Sequence, residues 1–245
     1  MAHPPAERLA ALRSTLDAAV RARQGSPNTM KLLERDVFDR RLYGIYLVET
    51  FHYTKHNARN QALVATRNER LDLHYVKFCL AHALEEAGHE YMALADLNSM
   101  GPQFTEAQLP EPLPDTETLI AYLDRVGSTG NPYARLGYSY WAESIAAFTG
   151  ASRALFAARL DLRADQLTFL EAHAKIDEKH FEQVQAIMAR CLTTDDDWRA
   201  VEAVMLHTLL LTGRIMEQVM GQYLLVLDGQ PTRYGFLDAL KDSKV

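Results

Sequence analysis

The sequence predicts an all-α fold, and three observations lead to that prediction. Apolar residues recur at spacings of three and four along most of the 245-residue chain, as the buried face of a helix requires. The alternation of apolar and polar residues that is typical of strands is almost absent. The 12 glycines and 9 prolines cluster at a few places, which we interpret as the breaks between helices.

These breaks divide the chain into a series of predicted helices. The tract "GSPNT" separates the first two helices, Gly101 and Pro102 end the third, and Asp115 is the expected N-cap of a shorter fourth helix. Without a repeat or a long linker, the helices predict one domain over residues 1–245, folded as a compact bundle. The predicted ranges are about 5–23, 30–67, 67–101, a helix after the proline-rich stretch 110–118, 133–160, 164–191 and 195–227.

Composition narrows the class of protein. A chain with 48% hydrophobic residues can bury a full core. The net charge of −6 and the absence of a basic block argue against nucleic acid as a partner. Cys79 and Cys191 lie far apart in apolar helical contexts, which predicts buried thiols and a cytoplasmic location. Because no run of 18 apolar residues occurs, we expect no membrane span.

The stretch "HAKIDEKHFEQV" is the first candidate metal-binding motif. It places His173, Asp177 and His180 at steps of four and three, so that they fall within roughly 60° of one another around a helix. Imidazoles and carboxylates together are ligands for redox-active iron or manganese. A solvated polar helix face is the alternative interpretation of this motif taken alone.

A second motif lies in "FCLAHALEEAGHEYMALADL". Glu86 and His89 have the ExxH spacing by which one helical turn offers two ligands, and His82 shares their face, with Glu85 one position round from Glu86. The alternative interpretation is that Glu85, Glu86 and Glu90 are ordinary surface acids and that His89 is a core histidine.

Two further glutamates, Glu49 and Glu143, stand in apolar stretches, where an unpaired carboxylate is costly to bury. Metal coordination would resolve the problem in both cases. The alternatives are a hydrogen bond from Tyr53 to Glu49 and an ion pair of Glu143 with Arg135 or Arg153.

Four predicted helices therefore each carry a carboxylate, alone or with histidine, on an expected inward face. This is the pattern of carboxylate-bridged dimetal bundles. In them, two helices each supply one glutamate, and two other helices each supply an acid followed three residues later by a histidine. The sequence departs from that pattern in Asp177, which replaces a glutamate, and in the additional imidazole of His173.

The order Glu49, His89, Glu143 and HxxxDxxH resembles the heme-oxygenase-like diiron oxidases, which are related to the TenA thiaminases and to the pyrroloquinoline quinone synthase PqqC. The resemblance covers about residues 40–185 and implies a seven- to eight-helix heme-oxygenase-like bundle, with the metal-site helices over about 36–190. It implies two irons, with manganese as the alternative at one site. The implied ligands are Glu49, His89, Glu143, His173, Asp177 and His180, with Glu86 as the added carboxylate and Glu85 or His82 as the alternatives to it.

The resemblance also implies that ferrous iron reacts with dioxygen to oxidise a small organic substrate derived from an amino acid or a fatty acid. The reaction would be hydroxylation, desaturation or C–C cleavage. Tyr53 and His56 follow Glu49 at four and seven residues, so we expect them to line the same cavity with Glu86 as catalytic residues. A homodimer is the expected assembly, and an external electron donor is a candidate partner.

Three other interpretations make different predictions. A cofactorless enzyme of the TenA or PqqC type would keep the fold without metal and would use a nucleophile such as Cys79. Ferritin-like iron oxidation would use the same acids without His173. A non-enzymatic helical interaction protein would bind no stoichiometric metal.

Overall fold

The computed structural model of the chain is a bundle of α-helices. It describes residues 4–22, 26–67, 71–145, 154 and 157–240, without the side chains of 172–178. Across those residues no strand is present, so the predicted all-α class is confirmed. None of the described helices has both the length and the apolar composition needed to span a bilayer. The helices are α1 (Pro5–Arg21), α2 (Pro27–Arg35), α3 (Arg40–Ala65), α4 (Leu73–Glu86), α5 (Glu90–Ser99), α6 (Pro114–Ser128), α7 (Leu136–Ala142), α8 (Thr168–Cys191) and α9 (Asp195–Leu227), with 3-10 turns at Glu106–Gln108, Ala164–Gln166 and Gly235–Leu240.

Helix α3 is the central element of the bundle. It packs against α4, α5, α6 and α9, and buried residues occur on all sides of it. Helix α9 lies against α7 and α6 as well as α3. The approach of α7 to α9 depends on Gly137, because a Cβ at that position would lie 2.1 Å from the carbonyl oxygen of Val201. This close crossing fixes the position of α7, whose C-terminal end carries Glu143.

The predicted helix over 195–227 has the observed bounds of α9. Two other predicted helices, over 30–67 and 67–101, are each divided in the structure. The predicted helix over 30–67 is divided between α2 and α3, where Asp36 takes a left-handed φ of 49° and the side chain of Asp39 caps α3. The predicted helix over 67–101 is divided at Gly88, whose φ of +96° favours glycine over residues with a side chain.

The start of the shorter helix also differs from the prediction. Helix α6 begins at Pro114 with Leu113 as its N-cap, so the prediction that Asp115 is the cap is wrong. Proline suits the first helical position because it lacks an N–H, which would have no partner there. Of the predicted helix over 133–160, the structure describes α7 and the turn to residue 145, then residue 154 and 157–160.

Candidate metal centre

Four side chains from three regions of the bundle converge in its interior. His82 and Glu86 lie on α4, Glu143 is the C-cap of α7, and His180 lies on α8. One candidate ligand atom from each residue lies within 4.8 Å of the other three. All four side chains are buried, with relative exposures between 2% and 8%. A buried group of two carboxylates and two imidazoles is a mixed oxygen and nitrogen donor set, which suits iron.

The local sequence of α4 explains how this helix contributes two of the four. Residues four apart lie on the same face of a helix, so His82 and Glu86 both point inward. The helix ends at Glu86, and the break at Gly88 intervenes before α5. His89 therefore does not continue the same helix, yet its Nδ1 lies 3.5 Å from Oε1 of Glu86. The nearby Glu86 carboxylate raises the pKa of His89, although partial burial opposes the shift.

Glu143 is held between two imidazoles. Its Oε1 lies 3.2 Å from Nε2 of His82, and its Oε2 lies 3.3 Å from Nδ1 of His180. Burial opposes the charged form of Glu143, but the contacts with His180 and His82 outweigh burial and lower the pKa of its carboxyl. The same contact with Glu143 raises the pKa of His180 against the effect of burial. The alternative ion pair with Arg135 is not formed, since the guanidinium of Arg135 bonds to Asn57, Asn60 and Ser139.

Glu85 is not one of the four clustered residues. Its carboxylate contacts the ring nitrogen of His180 that does not face Glu143. Its Oε2 lies 2.9 Å from Nε2 of His180. If Nε2 carries the proton and donates it to Glu85, Nδ1 turns a lone pair toward Glu143 and toward Oε1 of Glu86, which is 3.7 Å away. A carboxylate that accepts from the second nitrogen of a ligating histidine is the usual arrangement behind metal-bound imidazole.

The ring nitrogens also support a metal site. Nδ1 of His82 and Nδ1 of His180 are buried and make no hydrogen bond with the described residues. An imidazole nitrogen left without a hydrogen bond in a protein interior is unfavourable unless it binds something else. A metal ion would accept the lone pairs and would neutralise the facing carboxylates, so the residues present fit the binding of iron.

Glu49 is not one of the four clustered residues, and hydrogen-bond donors occupy both of its carboxylate oxygens, so its role as a ligand stays a prediction. Its Oε2 accepts hydrogen bonds from the backbone N–H of Leu113 at 3.0 Å and from the hydroxyl of Thr116 at 2.5 Å, while Oε1 accepts from Tyr234 at 2.5 Å. Both oxygens are thus occupied by donors at the start of α6 and near the C-terminal end of the described chain. The residue of α3 that contacts the cluster is Asn57, whose Nδ2 donates to Oε2 of Glu86 at 2.8 Å. Eight residues of helix separate Glu49 from Asn57, a distance of about 12 Å.

Tyr53 and His56 are the two predicted catalytic residues on α3. The hydroxyl of Tyr53 lies 3.3 Å from that of Thr50. Tyr53 is not one of the four clustered side chains, and its catalytic role stays a prediction.

His56 is only partly buried on α3, and this partial burial lowers its pKa. It is not one of the four clustered side chains, and its catalytic role stays a prediction.

Two predicted ligands cannot be placed. His173 and Asp177 belong to helix α8, but their side chains lie outside the described residues. The sequence pattern indicates His82 only as an alternative to Glu86 for the added ligand, and no motif indicates Asn57. The position of Asn57 one turn after Tyr53 on α3 is the signal that could have identified it.

The comparison with known proteins indicates the class to which this chain belongs. A family model described as an iron-containing redox enzyme matches residues 45–212. The chain belongs to this family. The match confirms an iron-dependent redox class of protein and includes all four residues of the cluster.

A solved structure supports the same conclusion for the fold. The chain is similar to a protein from Shewanella denitrificans OS217, described as a domain of unknown function with a heme oxygenase-like fold. The two are 40% identical, with a TM-score of 0.82 over 94% of this chain and 97% of the other. The predicted heme-oxygenase-like bundle is therefore confirmed. No curated protein matches the chain significantly.

Proposed function

We propose that this iron-containing redox enzyme is a non-heme diiron oxidase, which uses dioxygen to oxidise a small organic substrate. The observation that carries the proposal is the buried group of His82, Glu86, Glu143 and His180. In it, Nδ1 of His82 and Nδ1 of His180 make no hydrogen bond with the described residues, and each imidazole has one nitrogen within 3.3 Å of Glu143. When bound, ferrous iron would supply the electrons that activate dioxygen.

The ligand set of the proposal combines the structure with the sequence. The four clustered side chains and His89, 3.5 Å from Glu86, form one part of it. Asp177 and His173 precede His180 by three and seven residues, a spacing that predicts the same face of α8. Seven side chains are more than one ion needs, which supports a pair of metal ions rather than one.

The chain's own residues would hold the ligands in place and keep water away. Glu85 fixes the ring of His180 through Nε2. The ring of Phe78 stacks on His82 with ring centroids 5.4 Å apart. An apolar wall strengthens the electrostatic attraction between the carboxylates and a metal ion, because the local dielectric is low.

The cofactorless alternative has less support. Cys79 is fully buried, and burial raises the pKa of its thiol to about 11. A nucleophilic cysteine needs a lowered pKa and access to substrate, and Cys79 has neither. The substrate class, an amino acid or fatty acid derivative, comes from the resemblance of the motifs.

The proposal is tested by anaerobic reconstitution with ferrous iron. We expect about two irons per chain, as in other carboxylate-rich helical centres, and a transient visible absorption band with consumption of dioxygen when oxygen is admitted. Faster decay of that band with one member of a panel of amino acids and fatty acids would identify the substrate class. Wild-type protein that binds no iron would overturn the proposal. Continuous oxidation of many ferrous ions per chain, unaffected by any organic compound, would indicate iron oxidation instead.

A further inference from the structure

Arg135 is a fully buried cation beside the proposed metal centre. Its side chain has 0% exposure, and it precedes helix α7 as the N-cap residue. The guanidinium donates to Oδ1 of Asn60 at 2.7 Å, to the hydroxyl of Ser139 at 2.9 Å and to Oδ1 of Asn57 at 2.6 Å. These acceptors are all neutral, so they satisfy the N–H groups without cancelling the charge. A buried charge is costly unless an opposite charge lies near.

Asn57 connects this cation to the cluster. An arginine has only donors, so the amide of Asn57 must turn its oxygen toward Arg135 and its NH2 group the other way. The NH2 group then donates to Oε2 of Glu86 at 2.8 Å. Arg135 thus determines which way the amide of Asn57 points, and Asn57 in turn positions one carboxylate oxygen of the cluster.

The hydrogen bonds place the charge of Arg135 close to a carboxylate of the cluster. The amide of Asn57 bridges the guanidinium and Glu86 through hydrogen bonds of 2.6 Å and 2.8 Å. The guanidinium carbon also lies 4.6 Å from the ring centroid of the buried Tyr138. In a low-dielectric interior a fixed positive charge acts over such distances with little screening. It disfavours an increase of positive charge nearby, and oxidation of a metal ion is such an increase.

We propose that Arg135 and Asn57 are positioning residues of the metal centre, in which Asn57 orients Glu86 and the charge of Arg135 raises the reduction potential of the bound iron. The inference rests on the proposed iron centre. It separates two effects, because Asn57 acts through a hydrogen bond and Arg135 acts through its charge.

The charge effect is tested on the iron-loaded protein by redox titration. Arg135→Met removes the charge, and we expect the ratio of ferric to ferrous iron at a fixed potential to rise at least tenfold, which lowers the midpoint by about 59 mV for a one-electron couple. Arg135→Lys keeps the charge and should stay close to wild type. The matched control is Arg125→Met, since Arg125 lies 5.0 Å over the ring of Tyr122 on the exposed side of α6.

The orientation effect is tested by anaerobic ferrous-iron titration. Asn57→Leu keeps the charge of Arg135 but removes the N–H donor to Glu86, and we expect iron affinity to fall about tenfold, as for other residues behind metal ligands. If Arg135→Met does not fold, Asn57→Asp replaces it. This isosteric change keeps an acceptor for Arg135 and cancels the cation with an adjacent carboxylate, so it should lower the potential in the same direction. It also removes the donor to Glu86, and Asn57→Leu, which removes that donor without adding a charge, is therefore its reference.

The outcomes distinguish this inference from the proposed function. Wild-type protein without bound iron would overturn both. Bound iron with the same potential in wild type, Arg135→Met and Arg125→Met would overturn the charge effect and leave the oxidase proposal intact. An equal fall in the reduction potential of Arg135→Lys and Arg135→Met would show that the shift comes from lost packing. That result would also overturn the charge effect. Unchanged iron affinity in Asn57→Leu would overturn the orientation effect.

Discussion

Two buried carboxylates of this protein, those of Glu49 and Glu143, have opposite surroundings. Glu49 is 1% exposed and accepts hydrogen bonds from a backbone N–H and two hydroxyl groups. Glu143 is 8% exposed and faces the rings of His82 and His180. Both glutamates interrupt an apolar stretch of sequence, and neither stretch predicts which environment its glutamate will have.

The comparison shows that the chemistry of the facing groups, and not burial itself, separates a structural carboxylate from a candidate ligand. Hydroxyl and amide N–H donors contact both oxygens of Glu49, so three of the roughly four lone pairs of the carboxylate are already used by hydrogen bonds. Imidazoles can present a lone pair, so a carboxylate among imidazoles shares its surroundings with a second set of potential ligands. Four predictions test this difference, in order of decreasing effect.

Removal of a clustered histidine should have the largest effect. We expect His180→Ala to weaken iron binding by more than about 100-fold, because loss of a ligand should exceed the 10- to 100-fold cost of losing a residue behind a ligand. Metal analysis after anaerobic reconstitution measures the effect. The matched control is His207→Ala, an exposed residue of α9 whose ring stacks on Tyr122. Full iron occupancy in His180→Ala would remove His180 from the ligand set.

Glu49→Ala should reduce stability without affecting iron. Loss of the carboxylate leaves the N–H of Leu113 and the hydroxyls of Thr116 and Tyr234 without their acceptor, which should lower the free energy of unfolding by about 3 kcal/mol. Urea unfolding of the metal-free protein measures this change. Glu106→Ala is the control, since its ion pair with Lys55 is exposed and contributes little. Loss of iron with unchanged stability would show that Glu49 is a ligand after all.

Glu85→Ala should weaken iron binding less than loss of a ligand does. Without Glu85 the Nε2 of His180 loses its acceptor, and the ring is no longer held with Nδ1 toward the carboxylates. We expect iron affinity to fall about tenfold with little change in stability. Ferrous-iron titration is the measurement, and Glu171→Ala on the exposed side of α8 is the control. A loss as large as that of His180→Ala would identify Glu85 as a direct ligand.

The metal-free protein should have a stability maximum in weakly acidic solution. The pKa of Glu143 is lowered from 4.5, so its contribution is present above about pH 4.5 and is lost as the pH falls through the lowered value. The pKa of His180 is raised from 6.5, so its contribution is present below about pH 6.5 and is lost as the pH rises through the raised value.

Urea unfolding between pH 3 and 9, with a chelator present, measures both edges of this maximum. The free energy of unfolding should fall at both edges, and Glu143→Gln should weaken both, because the contact between Glu143 and His180 is their largest shared cause. A profile of the same shape in wild type and in Glu143→Gln would show that this contact does not stabilise the metal-free fold.

The sequence by itself determined the features that depend on neighbours along the chain. The helical class follows from periodic apolar residues, and the bounds of α9 follow from local signals such as the capping box of Thr194 and Asp197. The shared face of His82 and Glu86 and the isolated position of Glu143 were likewise visible without a structure. Helical geometry within a few residues is enough to establish such features.

Only the tertiary structure decided which side chains meet across helices. Periodicity places Glu49 and Asn57 on α3, but the heights at which α6 and α4 cross α3 determine that Glu49 meets Leu113 and Asn57 meets Glu86. The break at Gly88 and the turn of Glu85 toward His180 likewise depend on contacts between α4, α5 and α8. A one-dimensional pattern specifies rotation about a helix axis, whereas a metal site also requires matching positions along several axes, and packing alone sets those positions.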